Sequence, residues 1–400
     1  MRIALVLPGG VDRTGRERVI PAVLGLIERL ARRHRLLVFA VEHEPRWCQY
    51  PLLGATVFNL GRVSGGGKAV QWAVRFRRLI TALRSEGEPF DILHALWVGT
   101  PASLALAAGR WLGIPVVASV GGGELVWLPE IGYGGQGTVI SRRIASVILH
   151  KADALSAGSQ YALRPLVKIR PDSTWLPWGV DWNLFNAPVK RPPGPPWRLL
   201  HVASLNRVKD QVTLLKAACL VLDKGKPIQL DVVGEDTLAG SVQRTANELN
   251  LGDAIRFHGF QTIDTVAAFY RQAHLYVHSS LFESMGAVVL EAGAAGVPTV
   301  GTAVGLIAEM APQAALAVPT RDWEALAKGI VELLDNHERR YRLGQAAQRF
   351  ARAYDADWTA AQFEAVYSRL SQRPRRPLGI HPLESEQEVI RQPAHQGDTS

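Results

Sequence analysis

Short apolar runs alternate with stretches of helical periodicity along the first half of the chain. Residues 3–7 form a continuous apolar run, as expected for a strand covered on both faces of a parallel sheet. Residues 19–33 then carry apolar side chains at the spacing of one helix face. Further short runs that predict strands cover residues 36–41, 92–95, 116–119 and 154–157. This alternation is typical of a doubly wound α/β domain.

A proline-rich segment interrupts this pattern, which then starts again. Five prolines fall within residues 187–196, a composition typical of a stiff linker. A helix is predicted beyond it over residues 211–222, among strands over 199–203, 229–233, 255–258, 275–278 and 299–301. The predicted fold class is therefore α/β, with two Rossmann-like doubly wound domains that face each other across a cleft.

This organisation predicts where each domain begins and ends. We expect an N-terminal domain over residues 1–186, the linker over 187–196, a C-terminal domain over 197–353 and a last helix over 354–370. Residues 371–400 contain no Phe, Trp or Tyr and are predicted to be a disordered tail. Because ligands of parallel sheets bind beyond the carboxyl ends of the strands, the loops there are expected to hold the chemistry.

The net charge of +9 on the 400 residues is concentrated in the first half. Residues 1–190 hold 23 Lys and Arg against 13 Asp and Glu. Either a solvated basic face or contact with an anionic membrane explains this excess. Trp72 and Phe76 beside Arg75, Arg77 and Arg78 form the candidate membrane patch, with a solvated helix as the alternative. Nucleic acid is disfavoured as a partner because the arginines form no tight run interleaved with aromatic residues.

Two further features bear on the compartment. Cys48 and Cys219 lie far apart and have no CxxC neighbour, so neither a disulfide framework nor a zinc finger is predicted. No apolar run reaches the ~18–20 residues that a membrane-spanning helix needs, and the apolar start is too short for a signal peptide. A cytoplasmic protein is expected, with peripheral contact at the inner membrane face left open.

The residues after the run 275–278 give the most specific signal. Glu283 and Glu291 lie eight positions apart, with Met285, Gly286 and Ala287 between them where a helix is predicted to begin. The positive end of a helix favours phosphate. Carboxylates on either side of a bound diphosphate could accept hydrogen bonds from the hydroxyls of two sugars. A solvated face explains Glu291 poorly, because it lies within an Ala/Gly/Val helix where an unpartnered carboxylate is costly.

With these residues the chain resembles glycosyltransferase family 4, the retaining glycosyltransferases of GT-B architecture. Glu283 and Glu291 match the family's E-x7-E motif, and the Glu-Ala-Gly-Ala-Ala-Gly-Val-Pro-Thr-Val string continues it. Similar family segments lie at residues 204–210 and 257–260, and at 178–185 before the linker. Weaker matches lie at residues 9–10 and 91–94, and the resemblance extends from residue 1 to about 370.

The resemblance implies a nucleotide-sugar donor held mainly by the C-terminal domain. Three residues are the catalytic candidates: Lys209 would neutralise the donor diphosphate, Glu291 would hold the ribose and Glu283 the donor sugar. The other implied donor-binding residues are Ser204, Arg207, Ser284, Met285, Gly286 and Ala287. Ser204 stands where the family often has Arg, and Arg207 is expected to substitute. The resemblance implies no metal and no other cofactor.

Two glycine clusters are expected on the acceptor side of the cleft. Gly9 and Gly10 follow the first strand, and Gly121, Gly122 and Gly123 follow the strand at 116–119. Glycine lets a backbone approach a ligand closely, although a tight turn is the alternative explanation. Gly121 stands where the family commonly has a His that contacts the donor sugar.

Other candidate motifs favour structural roles. Asp355-Ala-Asp357 has the form of a metal-binding DxD motif, but a helix cap is the preferred interpretation. The family resemblance implies that the helix after it crosses back to the N-terminal domain. Trp175, Trp178 and Trp182 are expected to pack between the domains. The histidines show no ligand-like pairing, so no metal site is predicted.

The predicted function is retaining transfer of a sugar from a nucleotide-diphosphate donor to a hydroxyl. The acceptor could be a lipid-linked or polysaccharide precursor bound by the basic N-terminal half. Two alternatives stay open: a nucleotide-sugar epimerase of the same fold, and a degenerate scaffold that binds nucleotide sugars without catalysis. Fold alone does not decide among them.

Overall fold

The computed structural model describes residues 1–186 and 191–372. Its first half is a single α/β unit around one sheet. The elements are β1 (Arg2–Leu7), α1 (Pro21–Ala31), β2 (Arg35–Ala40), β3 (Cys48–Leu52), β4 (Ala55–Asn59), α2 (Lys68–Ser85), β5 (Ile92–Leu96), α3 (Thr100–Leu112), β6 (Val116–Val120), α4 (Val139–Lys151), β7 (Ala154–Ala157), α5 (Gln160–Val167) and β8 (Thr174–Trp175).

The second half repeats this architecture around a smaller sheet. Its elements are α6 (Trp182–Phe185), β9 (Trp197–Val202), α7 (Gln211–Asp223), β10 (Ile228–Val233), α8 (Ser241–Glu248), β11 (Ile255–Phe257), α9 (Ile263–Gln272), β12 (Leu275–His278), α10 (Ala287–Ala294), β13 (Thr299–Thr302), α11 (Gly305–Met310), β14 (Leu316–Val318), α12 (Trp323–Asp335), α13 (His337–Ala353) and α14 (Ala356–Ser371). Two short 3₁₀ turns, Arg207–Lys209 and Gly252–Ala254, lie between them.

Both sheets have the strand order of doubly wound folds. The first runs β3-β4-β2-β1-β5-β6-β7-β8 and the second β11-β10-β9-β12-β13-β14. Central strands pair in parallel, as in the register of Ile3 with Leu36 and with Ile92. Their side chains are buried on both faces because helices cover both sides of the sheet. The predicted two-domain α/β fold is confirmed.

Edge strands of both sheets were not predicted: they are β8 and the pair β3–β4 in the first sheet, and β14 in the second. Strands β3 and β4 form an antiparallel hairpin whose turn places Leu53 and Gly54 at φ 49° and 83°. Two consecutive residues at positive φ suit the twist of a two-residue hairpin. These edge strands mix polar and apolar residues, so they lack the continuous apolar run that marks the central strands.

The last helix returns to the first half, as the resemblance implied. Helix α14 packs on α1 of the first half. The Arg29 guanidinium donates to Asp357 at 2.8 Å. Asp355 caps α14 by accepting from the Trp358 amide at 2.9 Å, so the helix-cap interpretation is confirmed. The helix continues through Ser371, which was predicted to begin the tail. Residues 187–190 of the predicted linker and 373–400 of the predicted tail lie outside the described residues.

The Trp175 ring packs between the two halves, as predicted, whereas the rings of Trp178 and Trp182 contact residues of their own half. The Trp175 ring lies 4.8 Å from that of Tyr354 and 6.1 Å from that of Trp358. Trp178 meets Trp97 edge-on at 5.3 Å. The Arg352 guanidinium lies 5.1 Å from the Trp182 ring.

Gly179 lets the two chain segments of this junction meet. A Cβ there would lie 2.2 Å from the Asp355 carbonyl carbon. The Gly179 amide also donates to Thr359 Oγ1 at 2.9 Å. We expect Gly179→Ala to lower the free energy of unfolding by about 2–3 kcal/mol, because the backbone opposite cannot yield like a side chain. Urea denaturation measures this, with Gly67→Ala as the control, since that site has open space. Equal losses in the two variants would contradict the expectation.

Candidate active site

The candidate site lies between the carboxyl ends of the two sheets. On the second half, the loop after β9 carries Lys209 and the loop after β12 carries Glu283. The two loops are tied to each other: the Leu281 amide donates to the Val208 carbonyl at 2.8 Å. Ser279 Oγ donates to the Lys209 carbonyl at 2.8 Å. The sequence-predicted pair is therefore brought together by backbone and hydroxyl contacts that do not involve its own charges.

Glu283 is the centre of a polar cluster. Its Oε1 accepts hydrogen bonds from the Lys209 ammonium and, at 2.8 Å, from Ser280 Oγ. His278 Nε2 lies 3.4 Å from the same oxygen. Burial alone would raise the pKa of Glu283, but the Lys209 charge and the His278 contact outweigh it and hold the pKa well below the usual range. Glu283 is a carboxylate at every physiological pH and can only accept hydrogen bonds.

Lys209 is positioned by a capped turn. Asn206 Oδ1 accepts from the Lys209 amide at 3.3 Å and caps the 3₁₀ turn. Asp210 then takes φ 46° and caps α7 through Thr213. The loop before this turn passes close to Gly234. A Cβ on Gly234 would lie 1.9 Å from the Ala203 carbonyl oxygen, so the position requires glycine. Local turns thus aim Lys209 at the cleft.

Glu291 differs from Glu283 in its surroundings. It lies on α10 and is 5 % exposed. Burial raises the pKa of Glu291 to about 7, and the Tyr270 hydroxyl offsets only part of this rise. The two glutamates of the motif therefore have opposite character: one is locked in its charged form and the other titrates near neutrality.

The loop between the glutamates makes two kinds of contact. Gly286 at φ 83° begins α10, so its amide and that of Ala287 lie at the positive end of that helix, as predicted. Ser284 and Met285, by contrast, contact residues of the first half of the chain. The Ser284 carbonyl accepts from Ser159 Oγ, and Met285 Sδ lies 3.1 Å from the Trp178 amide. The Ser284 backbone and the Met285 side chain thus help to hold the two halves together.

Ser204 and Arg207 lie on the same loop as Lys209 but differ in their contacts. Ser204 Oγ accepts from the Asn206 side-chain amide at 3.0 Å, so it supports the turn. Arg207 is exposed and has no ion-pair partner among residues 1–186 and 191–372. Of these two, Arg207 is the one free to move toward an anionic ligand.

The glycines predicted for the acceptor side contact side chains that the sequence did not single out. A Cβ on Gly121 would lie 2.8 Å from the Trp97 ring, which leaves no room for a side chain at this position unless the ring shifts. Trp97 itself has φ 74°, an uncommon conformation for a bulky residue. Gly9 faces His43, whose Nδ1 accepts from the Gly10 amide at 3.4 Å, and a Cβ on Gly10 would lie 2.5 Å from the Ile20 side chain.

Glu124 fills the amide pocket made by the glycine loop. Its carboxylate accepts from the amides of Gly121 at 3.0 Å, Gly122 at 2.6 Å and Val98 at 3.1 Å. Burial raises the pKa of Glu124, and these amides offset part of the rise. Burial and the charges of Glu283 and Glu124 raise the pKa of Tyr133 to about 12. Glu124 and Tyr133 were missed, although Glu124 directly follows the glycines in sequence.

In the described part of the chain, His94 and the acidic pair Asp12 and Glu44 have structural partners. His94 is fully buried between Tyr367 and Ser119, at 2.6 and 2.8 Å, and burial lowers the pKa of His94 to about 3. Among the described residues, Asp12, His43 and Glu44 have the spacing of a metal-ligand group. The Arg18 guanidinium already pairs with both carboxylates of that group, at 2.6 and 3.0 Å.

Comparison with known proteins decides the family. Residues 185–350 match the model of glycosyl transferases group 1, and residues 19–174 match the glycosyl transferase 4-like domain. The chain belongs to this glycosyltransferase family. Each half of the glycosyltransferase thus matches a glycosyltransferase model, and the predicted family is confirmed.

Individual relatives of this glycosyltransferase are more distant. The D-inositol 3-phosphate glycosyltransferase of Corynebacterium urealyticum is 30 % identical over 194 residues, which is 46 % of each chain. The match therefore spans just under half the length of such curated relatives. Sucrose-phosphate synthase from Thermosynechococcus elongatus superposes with a TM-score of 0.73 at 18 % identity, covering 92 % of this chain and 99 % of that one. Anabaena HepE in complex with UDP gives 0.70 at 16 %, covering 92 % and 100 %. These two likenesses show the shared fold.

Proposed function

We propose that this glycosyltransferase moves a sugar from a nucleoside-diphosphate donor to an acceptor hydroxyl, with retention of anomeric configuration. The observation that carries the proposal is the meeting of Lys209, Glu283 and the positive end of α10 at one edge of the cleft, with Glu291 buried on the same helix. This set offers fixed positive charge for a diphosphate and carboxylates for sugar hydroxyls.

The chemistry follows from the leaving group. As the bond between the anomeric carbon and the diphosphate oxygen breaks, negative charge grows on that oxygen. Lys209 and the amides of Gly286 and Ala287 are the fixed donors that would stabilise it. The acceptor hydroxyl attacks the same face of the sugar, and its proton passes to the departing phosphate oxygen. Because a side-chain cation neutralises the diphosphate, this mechanism calls for no metal.

Each glutamate suits a different part of the donor. Glu283 is permanently ionised and lies beside Lys209, so it is the acceptor for hydroxyls of the transferred sugar. Glu291 lies further along α10 and would accept from the two ribose hydroxyls. HepE, a structural neighbour, has been solved with UDP-glucose, so UDP is the first nucleotide to test. We propose that the enzyme acts in the cytoplasm on a lipid-linked or polysaccharide precursor.

Calorimetry with UDP, GDP, ADP and dTDP tests the donor site. We expect one nucleotide to bind, and Lys209→Ala and Glu291→Ala to weaken it at least ~100-fold, since each removes charge-assisted hydrogen bonds. Lys216→Ala and Glu248→Ala, on exposed helix positions, are the matched controls and should bind normally. Binding of no nucleotide, or equal loss in the controls, would contradict the proposal.

Product analysis separates transfer from the alternatives. With the nucleotide sugar of the base that binds, a glycoside of unchanged anomeric configuration supports retaining transfer. Release of a free sugar isomer without a glycoside would favour an epimerase. Binding without turnover of any acceptor class would favour the degenerate scaffold. The anomeric proton coupling measured by NMR distinguishes retention from inversion.

A further inference from the structure

The basic patch predicted from sequence is built into the fold. Arg75 is buried and pairs with Glu42 at 2.7 Å. Arg78 donates to the Leu60 carbonyl. The Trp72 and Phe76 rings stack on each other at 5.2 Å, and the Trp72 ring N–H donates to Ser103 at 2.9 Å. Arg75, Arg78 and the two rings therefore take part in packing, and Arg77 is the residue of the predicted patch that is exposed.

A larger surface nearby has an unusual charge pattern. Helices α2, α3 and α4 cover one face of the first sheet and contain no Asp or Glu. Their exposed cations form no ion pair within residues 1–186 and 191–372. They are Lys68, Arg77, Arg84, Arg110, Arg142, Arg143 and Lys151. A face with this many uncompensated cations generates a strong positive potential.

Helix α4 adds an apolar component to the same face. It packs on the sheet through Ala145, Ile148 and Leu149. The opposite side of the helix presents four aliphatic side chains to solvent, between 42 % and 73 % exposed. These are Val139, Ile140, Ile144 and Val147. Helix α4 is thus apolar toward the core and again toward solvent, with arginines flanking the outer stripe.

The apolar stripe adjoins the acceptor side of the cleft. Helix α4 follows the loop that carries Gly121–Gly123, which begins at the carboxyl end of β6. Trp127 in that loop is also exposed, and a Cβ on Gly137 would lie 2.7 Å from its ring. The loop therefore leads from Glu124 in the cleft to Ile140 on the outer face.

We infer that the outer face of α2, α3 and α4 docks this glycosyltransferase on an anionic lipid bilayer. The flanking cations would contact the headgroups, and the α4 aliphatic residues would insert at the level of the acyl boundary. A bilayer suits this face better than a second copy of the chain, because two such faces would repel each other. It suits the face better than nucleic acid, because aliphatic side chains do not stack on bases.

This inference rests on the surface and not on the nucleotide site. The two can fail separately, because vesicle binding needs no donor and nucleotide binding needs no vesicle. If the acceptor is lipid-linked, docking through α4 would bring the cleft mouth to the headgroup layer, where the acceptor hydroxyl lies.

Flotation of the full chain with vesicles tests the inference. Vesicles contain phosphatidylcholine alone or with about one-third phosphatidylglycerol, at low and high salt. One variant carries Arg142→Gln, Arg143→Gln and Lys151→Gln, and a second carries Ile140→Ser, Ile144→Ser and Val147→Ser. The matched control removes three exposed cations of the second half through Lys216→Gln, Arg256→Gln and Lys328→Gln. Nucleotide binding and thermal unfolding of each variant establish that it is folded.

We expect binding to the anionic vesicles that high salt weakens. The charge variant should bind on the order of 100-fold more weakly, at about fivefold per cation, and the aliphatic variant at least about tenfold more weakly. The control should bind as the original chain does. Equal binding to neutral vesicles, or equal loss in the control, would overturn the inference. Self-association that the aliphatic variant abolishes, with no vesicle binding, would assign the face to a second copy instead.

Discussion

Glu291→Gln is expected to weaken nucleotide binding and, at the same time, to stabilise the fold above pH 7. Burial raises the pKa of Glu291 from 4.5 to about 7 in the folded chain. Between these values the folded protein holds a proton that the unfolded chain has released. The free energy of unfolding therefore falls as the pH rises through this window. At ~1.4 kcal/mol per pH unit the full cost is at most about 3 kcal/mol above pH 7.

Gln avoids this cost because it has the shape of Glu and no charge. Urea denaturation at pH 5 and pH 8.5 should give Glu291→Gln a gain of about 1–3 kcal/mol at the higher pH and little gain at the lower. Glu283→Gln is the internal control with the opposite sign, because the pKa of Glu283 is lowered and its charge is paired. A gain of the same size at both pH values would contradict the assignment.

The pH dependence of nucleotide binding follows from the same group. A protonated Glu291 can accept only part of the hydrogen bonds that two ribose hydroxyls offer, so binding should weaken as the pH falls below about 7. Because those hydroxyls favour the charged carboxylate, binding near pH 7 should release a fraction of a proton. Calorimetry in two buffers of different ionisation enthalpy measures this release. Proton uptake on binding would contradict the role given to Glu291.

The central fold and the positions of the two motif glutamates could be predicted because their signals are local. Buried parallel strands appear as continuous apolar runs, and the E-x7-E spacing lies within one loop and one helix. Lys209 and Glu283 lie far apart in sequence, and their meeting follows because loops after neighbouring parallel strands share one sheet edge. Glu291 could be singled out because a carboxylate is rare in so apolar a helix.

Contacts between residues distant in sequence could not be predicted in the same way. Trp97 fills the space above Gly121 only because β5 and β6 are neighbours and Trp97 adopts φ 74°. The roles of Ser284 and Met285 depend on how the two halves close against each other, through Ser159 and Trp178. A sequence shows which residues are polar or apolar, but not which distant surface they will face.

A large loss of unfolding free energy is expected for Lys209→Met. This change leaves the Glu283 carboxylate, whose side chain is 13 % exposed, without its ammonium partner. Ser280 and His278 remain nearby but replace only part of that charge. Removing one partner of a buried ion pair leaves the other charge uncompensated. We therefore expect the free energy of unfolding to fall by about 2–4 kcal/mol at pH 7.5. The loss should shrink at pH 4.5, because an unpaired buried carboxyl takes up a proton more readily.

The double variant Lys209→Met with Glu283→Gln separates folding from function. Removing both charges should recover most of the unfolding free energy, since no uncompensated charge stays buried. It should not recover nucleotide binding, because the diphosphate then meets no cation at this edge of α10. Lys226→Met, which breaks the exposed pair with Asp335, is the matched control and should cost less than about 1 kcal/mol. If the double variant binds nucleotide as tightly as the original chain, the diphosphate is held elsewhere, and Arg207 becomes the residue to replace next.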